Sequence, residues 1–244
     1  MKKRNLLLIP AIATLGSSLC SAAVYNVKYL GGLDPIPTSS LQGVIGSTGE
    51  SWNQATGSFT DLVDSAGNSS TIDISGLSGG QNEGPFNTIF YGNSNQFGKG
   101  DNQTIAISGL TIGGVYDIYI YALSHNTGSW GNFADTERAA GAFTTTNISG
   151  NGTSQSLDNG ITGTDADPFT AGSNYVVFQS IVADGSGNIS IVANAYDGLD
   201  GIANGADGDT RLHVNGLQIV SVPETSSAAL LGLGAFALIL RRRK

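Results

Sequence analysis

Between residues 24 and 221, apolar side chains come in short runs separated by Gly, Ser, Thr, Asn and Asp, and nowhere do they recur with sustained helical spacing. Runs of that length, alternating with period two, predict β-strands. They fall at 24–30, 70–74, 88–91, 103–107, 115–123, 142–145, 175–182, 188–193 and 211–220. Turn-forming clusters stand between them: Asp64-Ser-Ala-Gly-Asn68, Ile112-Gly-Gly114, and Asp184-Gly-Ser-Gly-Asn188, which joins two runs as a hairpin would. Many short strands, Gly-rich turns and almost no helix predict an all-β protein, a sandwich or barrel folded as one domain.

Two runs say more. In 115–123, Tyr116, Ile118 and Ile120 face one way and Asp117, Tyr119 and Tyr121 the other, so both faces are largely apolar. That predicts an inner strand with one side on the core and the other partly covered. In 211–220 the apolar parity changes at Asn215-Gly216, which predicts a bulge or bend there.

The two ends have different patterns. Lys2, Lys3 and Arg4 precede an apolar stretch from Leu6 to Leu19, and small residues at Ser21-Ala22-Ala23 follow. This is the order of a secretory signal, predicting a signal peptide over 1–23 that signal peptidase removes. The other end, 222–244, reads Val222-Pro-Glu-Thr-Ser-Ser, then a short apolar run from Ala228 to Leu240, then Arg241-Arg-Arg-Lys244. The run is marginal for a spanning transmembrane helix, and its basic end would remain cytoplasmic. The tail resembles the PEP-CTERM sorting signal through Val222, Pro223, Glu224 and Ser226, the hydrophobic helix, and Arg241, Arg242 and Arg243. Thr225 stands where that family usually has a second proline. The resemblance implies sorting by an exosortase and a cell-surface or extracellular-matrix destination, with a transient membrane anchor.

The domain itself, 24–221, resembles the galactose-binding-like jelly roll of many carbohydrate-binding modules. The segments that carry the likeness are Gly49-Glu-Ser-Trp-Asn53, Ile107-Ser-Gly-Leu-Thr111, Tyr175-Val-Val-Phe178 with the turn after it, and Leu212-His-Val-Asn-Gly-Leu-Gln-Ile219. It implies a jelly-roll β-sandwich and leaves function to be argued from residues.

Charge narrows the partners. Within 24–221 only Lys28, Lys99, Arg138 and Arg211 oppose all but one of the 19 acidic residues, a net charge of about −14. Such a surface repels phosphate backbones and excludes nucleic acid as a natural partner. Cys20, the one cysteine, lies in the signal segment, so the domain has neither a disulfide nor a thiolate metal site.

Candidate chemistry is sparse. His125 and His213 have no metal-ligand spacing, and no nucleophile elbow or phosphate-cradling loop is present. Asp197, Asp200, Asp207 and Asp209, interspersed with glycines ahead of the last run, offer the hard oxygens calcium takes, with Asp165 and Asp167 as a weaker pair. Aspartate and glycine also make turns without any metal. Trp130, in the polar segment Asn126-Thr-Gly-Ser-Trp-Gly-Asn132, is a candidate sugar platform with Asn126 and Asn132 as hydrogen-bonding neighbours. Trp52 is a second candidate, equally suited to capping the core. Asn-x-Ser/Thr triplets at Asn68, Asn102, Asn147, Asn151 and Asn188 mark polar loops. The expectation is a non-catalytic exported protein, structural or glycan-adhesive, with extracellular polysaccharide as partner. The alternative is a glycosidase or lyase using a pair of loop carboxylates.

Overall fold

The computed structural model describes residues 22–30, 37–77, 81–83, 92–97, 102–122, 138–158, 169–195 and 210–223. They contain twelve strands: β1 Val24–Tyr29, β2 Asn53–Ala55, β3 Asp73–Ser75, β4 Gln81–Glu83, β5 Gly92–Phe97, β6 Asn102–Ser108, β7 Val115–Ala122, β8 Arg138–Thr145, β9 Ser154–Asp158, β10 Tyr175–Val182, β11 Ile189–Ala195 and β12 Thr210–Ser221. One 3-10 turn, Thr38–Ser40, is the only helical element among the described residues. Residues 22–222 form one compact unit.

Pairing divides the strands into two sheets. Sheet A runs β2-β1-β12-β7-β10, with β5 beside the first half of β12 and β4 on β5. Sheet B runs β3-β6-β11-β8-β9. The chain changes sheet at nearly every connection from β6 to β12; only β8 and β9 are consecutive neighbours in one sheet. Two four-stranded orders facing each other, β1-β12-β7-β10 and β6-β11-β8-β9, are those of a jelly roll. Thr210 and Arg211 also pair in parallel with Arg138 and Ala139, so the sheets meet at that end.

Alternation builds the core between them. Ile118 and Ile120 of β7, Val176 and Phe178 of β10, and Leu217 and Ile219 of β12 meet Ile105, Ile107, Ile189, Ile191 and Phe143 of sheet B, all buried. The parity change in β12 is a bulge: Val214 pairs with Ala122 and Gly216 with Tyr121, leaving Asn215 as the extra residue. Leu212 and Val214 therefore reach the same core as Leu217 and Ile219. A second bulge interrupts β10 between Phe178 and Ile181, where Ser180 takes φ 49°.

The polar composition is put to structural use. Asp64 and Asp184 open two turns of one design, Asp-x-x-Gly-Asn. In each, the aspartate Oδ1 accepts N–H bonds from the residues two and four places on, at 2.8–3.0 Å, while the glycine adopts positive φ. Asparagine amides close strand edges. Asn53 exchanges two bonds with the Val63 backbone, at 2.8 and 2.9 Å. Asn151 donates to Val177 O and accepts from Gln179 N, pairing with the outer edge of β10 as a strand residue would. Asn147 donates to Val182 O and Asn188 O and accepts from Ser190 N.

The strand predicted at 88–91 lies outside the described residues. Strands β2, β4, β5 and β9 were not predicted; Asn-Gln-Ala, Gln-Asn-Glu, Gly-Asn-Ser-Asn-Gln-Phe and Ser-Gln-Ser-Leu-Asp carry too few apolar residues to show a period.

Candidate functional site: the outer face of sheet A

The side of sheet A that turns away from the core is built unlike the core side. Its residues are the odd members of β7 (Asp117, Tyr119, Tyr121), Asn26 and Lys28 of β1, Gln218 of β12 and Tyr175 of β10. Over part of this face lies a strap, residues 41–52. Leu41, Trp52 and Tyr121 form a second buried apolar cluster there, with Val44, Tyr119, Phe169 and Tyr175 packed against it.

Amides tie the strap down. Gln218, fully buried, donates from Nε2 to Asn26 Oδ1 (2.6 Å) and to Ile45 O (2.7 Å), and its Oε1 accepts from Ile45 N (3.1 Å) and from the Tyr121 hydroxyl. Tyr121 in turn accepts from Val44 N at 2.7 Å. Asn26 donates to Ser51 O at 3.0 Å, and Glu50 Oε1 accepts from Ser47 N at 2.9 Å. Gly43 lies against the Gln218 amide so closely that any Cβ there would overlap it. A glycine is needed because backbone meets side chain directly.

Beyond the strap the face opens onto rings. Tyr119 and Tyr175 are half-buried, their centroids 6.1 Å apart and their planes tilted by 37°. Phe169 stands edge-on to Tyr175 at 6.4 Å and 5.6 Å from Tyr121. Adjacent strands place Tyr119 and Tyr175 together: Val177 is the register partner of Tyr119, and Tyr175 that of Tyr121. Burial, then the Asp117 charge and Tyr175, raise the Tyr119 phenol above its ordinary pKa, so it stays a neutral hydroxyl. Asp117 Oδ1 accepts from Ser180 N at 2.7 Å, at the β10 bulge, which holds its carboxylate at the rim of the rings.

Of the predicted ligand residues, Trp52 is described: it is 7% exposed, packs in the strap cluster, and its Nε1 is buried without a hydrogen-bond partner. Its ring is enclosed and offers no open face. Trp130, Asn126 and Asn132 lie outside the described residues, as do Asp197, Asp200, Asp207 and Asp209, and Glu224, Arg241, Arg242 and Arg243 of the tail. Val222 donates its N–H to Val115 O at 2.8 Å, and Pro223 is exposed. Among the described residues no group of three or more His, Cys, Asp and Glu could hold a metal ion, and no helix is long and apolar enough to cross a membrane.

Tyr119, Tyr175, Phe169 and Asp117 were not singled out from sequence as a site. The available signal was the tyrosine pair at 119 and 121, alternating with isoleucines on a strand whose second face was expected to be partly covered.

No family model and no curated protein matches the chain. Among solved structures, the chain is similar to the enzymatically active domain of tailspike protein 4 of bacteriophage CBA120, at 14% identity and TM-score 0.27 over 62% of this chain. It spans 18% of that tailspike chain. It is also similar to TmCBM61, solved in complex with β-1,4-galactotriose, at 12% identity and TM-score 0.23 over 54% of this chain and 68% of that one. At those scores the jelly-roll assignment rests on the strand pairing described above.

Proposed function

We propose that this is a non-catalytic exported protein that adheres to glycan through the outer face of sheet A, at the cell surface or in an extracellular matrix. The observation that carries the reading is the Tyr119–Tyr175 pair, two half-exposed rings side by side on a rigid sheet next to a tightly bonded strap. Aromatic faces stack on the C–H faces of sugar rings, and a platform held by backbone pairing loses little entropy when it does so. The phenol hydroxyls and the Asp117 carboxylate are placed to bond the sugar's hydroxyls at the rim.

The non-catalytic part of the reading is supported by how the described carboxylates are used. Glu50, Asp64, Asp73 and Asp184 each accept a backbone N–H bond in a turn or at a strand edge. Carboxylates held that way serve the fold. Export, cleavage by signal peptidase and exosortase-type sorting remain part of the proposal on the strength of the two chain ends.

The test is paired. Tyr119→Ala and Tyr175→Ala, each measured for thermal unfolding and for retention on the polysaccharide of the producing cells, should stay folded, with the melting temperature lowered by less than truncation of a fully buried aromatic such as Phe178 lowers it. Each should lose about 2 kcal/mol of binding, roughly thirtyfold. Wild-type binding that survives both substitutions would remove the platform, and release of reducing sugar by the wild type would make the protein an enzyme.

A further inference from the structure

Resting on the glycan reading above, we infer that the ring platform prefers glycans that bear free, protonated amines over the same glycans with those amines acylated. Two features of the platform converge on a cation. The platform is made of tyrosine and phenylalanine rings, whose faces are electron-rich and attract an ammonium placed over them within about 6 Å. At its rim, among the described residues, stands the Asp117 carboxylate. Asp117 lies two residues before Tyr119 on the same face of β7, about 7 Å away along a strand. The bond from Ser180 N keeps its carboxylate there.

The interaction between the two groups is direct enough that the Asp117 charge opposes ionisation of the Tyr119 phenol. A cation between ring and carboxylate would meet both the ring face and the negative charge, and a neutral acetamido group would gain from neither in that way. The wider field has the same sign. The domain's charge of about −14 leaves Lys28, Lys99, Arg138 and Arg211 as its only cations. Of these Lys28 is fully buried. Uronate- or sulfate-bearing chains meet repulsion on approach and amine-bearing chains attraction.

The experiment compares immobilised β-1,4-linked N-acetylglucosamine oligomers with the same oligomers after de-N-acetylation, at equal density and at a pH where the free amines are protonated. The probe is the exported full-length domain. The wild type should bind the de-N-acetylated form about fivefold more tightly at low salt, a margin that shrinks as salt rises. Asp117→Asn keeps an oxygen for the Ser180 N–H and removes the charge; it should bring the two forms to near parity. Equal retention of both forms by the wild type overturns the inference. So does a margin that Asp117→Asn leaves intact, because net charge alone would then explain it. Retention of neither form also ends the inference, and the Tyr119→Ala and Tyr175→Ala measurements then decide separately whether the glycan reading falls with it.

Discussion

Tyr29 and Tyr121 lie on opposite faces of the same sheet, both fully enclosed, and their hydroxyls meet opposite surroundings. Tyr29 points into the main core, edge-on to Phe59 at 5.2 Å, and its hydroxyl has no hydrogen-bond partner. Tyr121 points under the strap, where its hydroxyl accepts from Val44 N and donates to Gln218 Oε1. Burial raises both phenol pKa values well above the ordinary range, so neither ionises under physiological conditions. The difference shows what each face is for. The inner face is held by apolar contact, and a polar atom there is a cost. The outer face is held by bonded amides, and its polar atoms fix the position of a strap and of the rings beside it.

The comparison breaks most visibly if the inner face is not the main source of stability. Phe178, fully buried between the sheets, should cost about 3–5 kcal/mol when cut to alanine, measured by urea or thermal unfolding. A loss under about 1 kcal/mol would mean that the sheets are not packed as described.

How much of this was legible beforehand follows the same division. Alternating Ile and Val residues announced β6, β7, β10 and β11, and the parity change at Asn215-Gly216 announced the bulge in β12, because burial on one face imposes a period that sequence preserves. The outer face imposes no period. Gln218 contacts both Asn26 and Gly43 from positions far apart in the chain, and each alone looks like loop composition. Size alone makes tryptophan the natural platform candidate in the sequence, yet the structure encloses Trp52 and leaves tyrosines at the opening.

Deleting one oxygen from each tyrosine sharpens the contrast further. Tyr121→Phe strands the Val44 N–H and removes a donor from Gln218, and should cost about 1–3 kcal/mol. Tyr29→Phe removes an unsatisfied buried hydroxyl and should leave stability unchanged or raise it. Two losses of similar size would mean that the Tyr29 hydroxyl has a partner after all.

Gly43→Ala tests the strap through the β12 amide that ties it to the sheet. A methyl group there must displace the Gln218 amide, so a cost of about 1–3 kcal/mol is expected. The same change should weaken glycan retention, since the strap flanks the rings. A variant as stable as the wild type, with unchanged retention, would show that strap and platform are independent.

The smallest effect belongs to the two Asp-x-x-Gly-Asn turns, which lie outside both faces and so serve as a control on them. The Asp64 carboxyl is held below its ordinary pKa chiefly by the Asn68 side-chain amide, with help from backbone N–H groups of the turn. Backbone N–H bonds from Asn188 and Ser186 lower that of Asp184. A carboxyl whose folded pKa lies below its unfolded value stabilises the fold fully above the unfolded pKa, near 3.9 for aspartate, and that contribution is lost as pH falls through the folded value. Asp184 is exposed and Asp64 only partly buried, so solvent screening keeps the contribution small. Asn at both positions retains an oxygen for the turn N–H groups and cannot titrate. The double variant Asp64→Asn, Asp184→Asn should therefore lose slightly less stability than the wild type on acidification from pH 5 to about 2.5, read as a shallower fall of the urea midpoint. Its behaviour in the two tyrosine tests should be that of the wild type. A variant that loses stability equally at every pH would instead show that the aspartates act through geometry that asparagine fails to reproduce, with no contribution from charge.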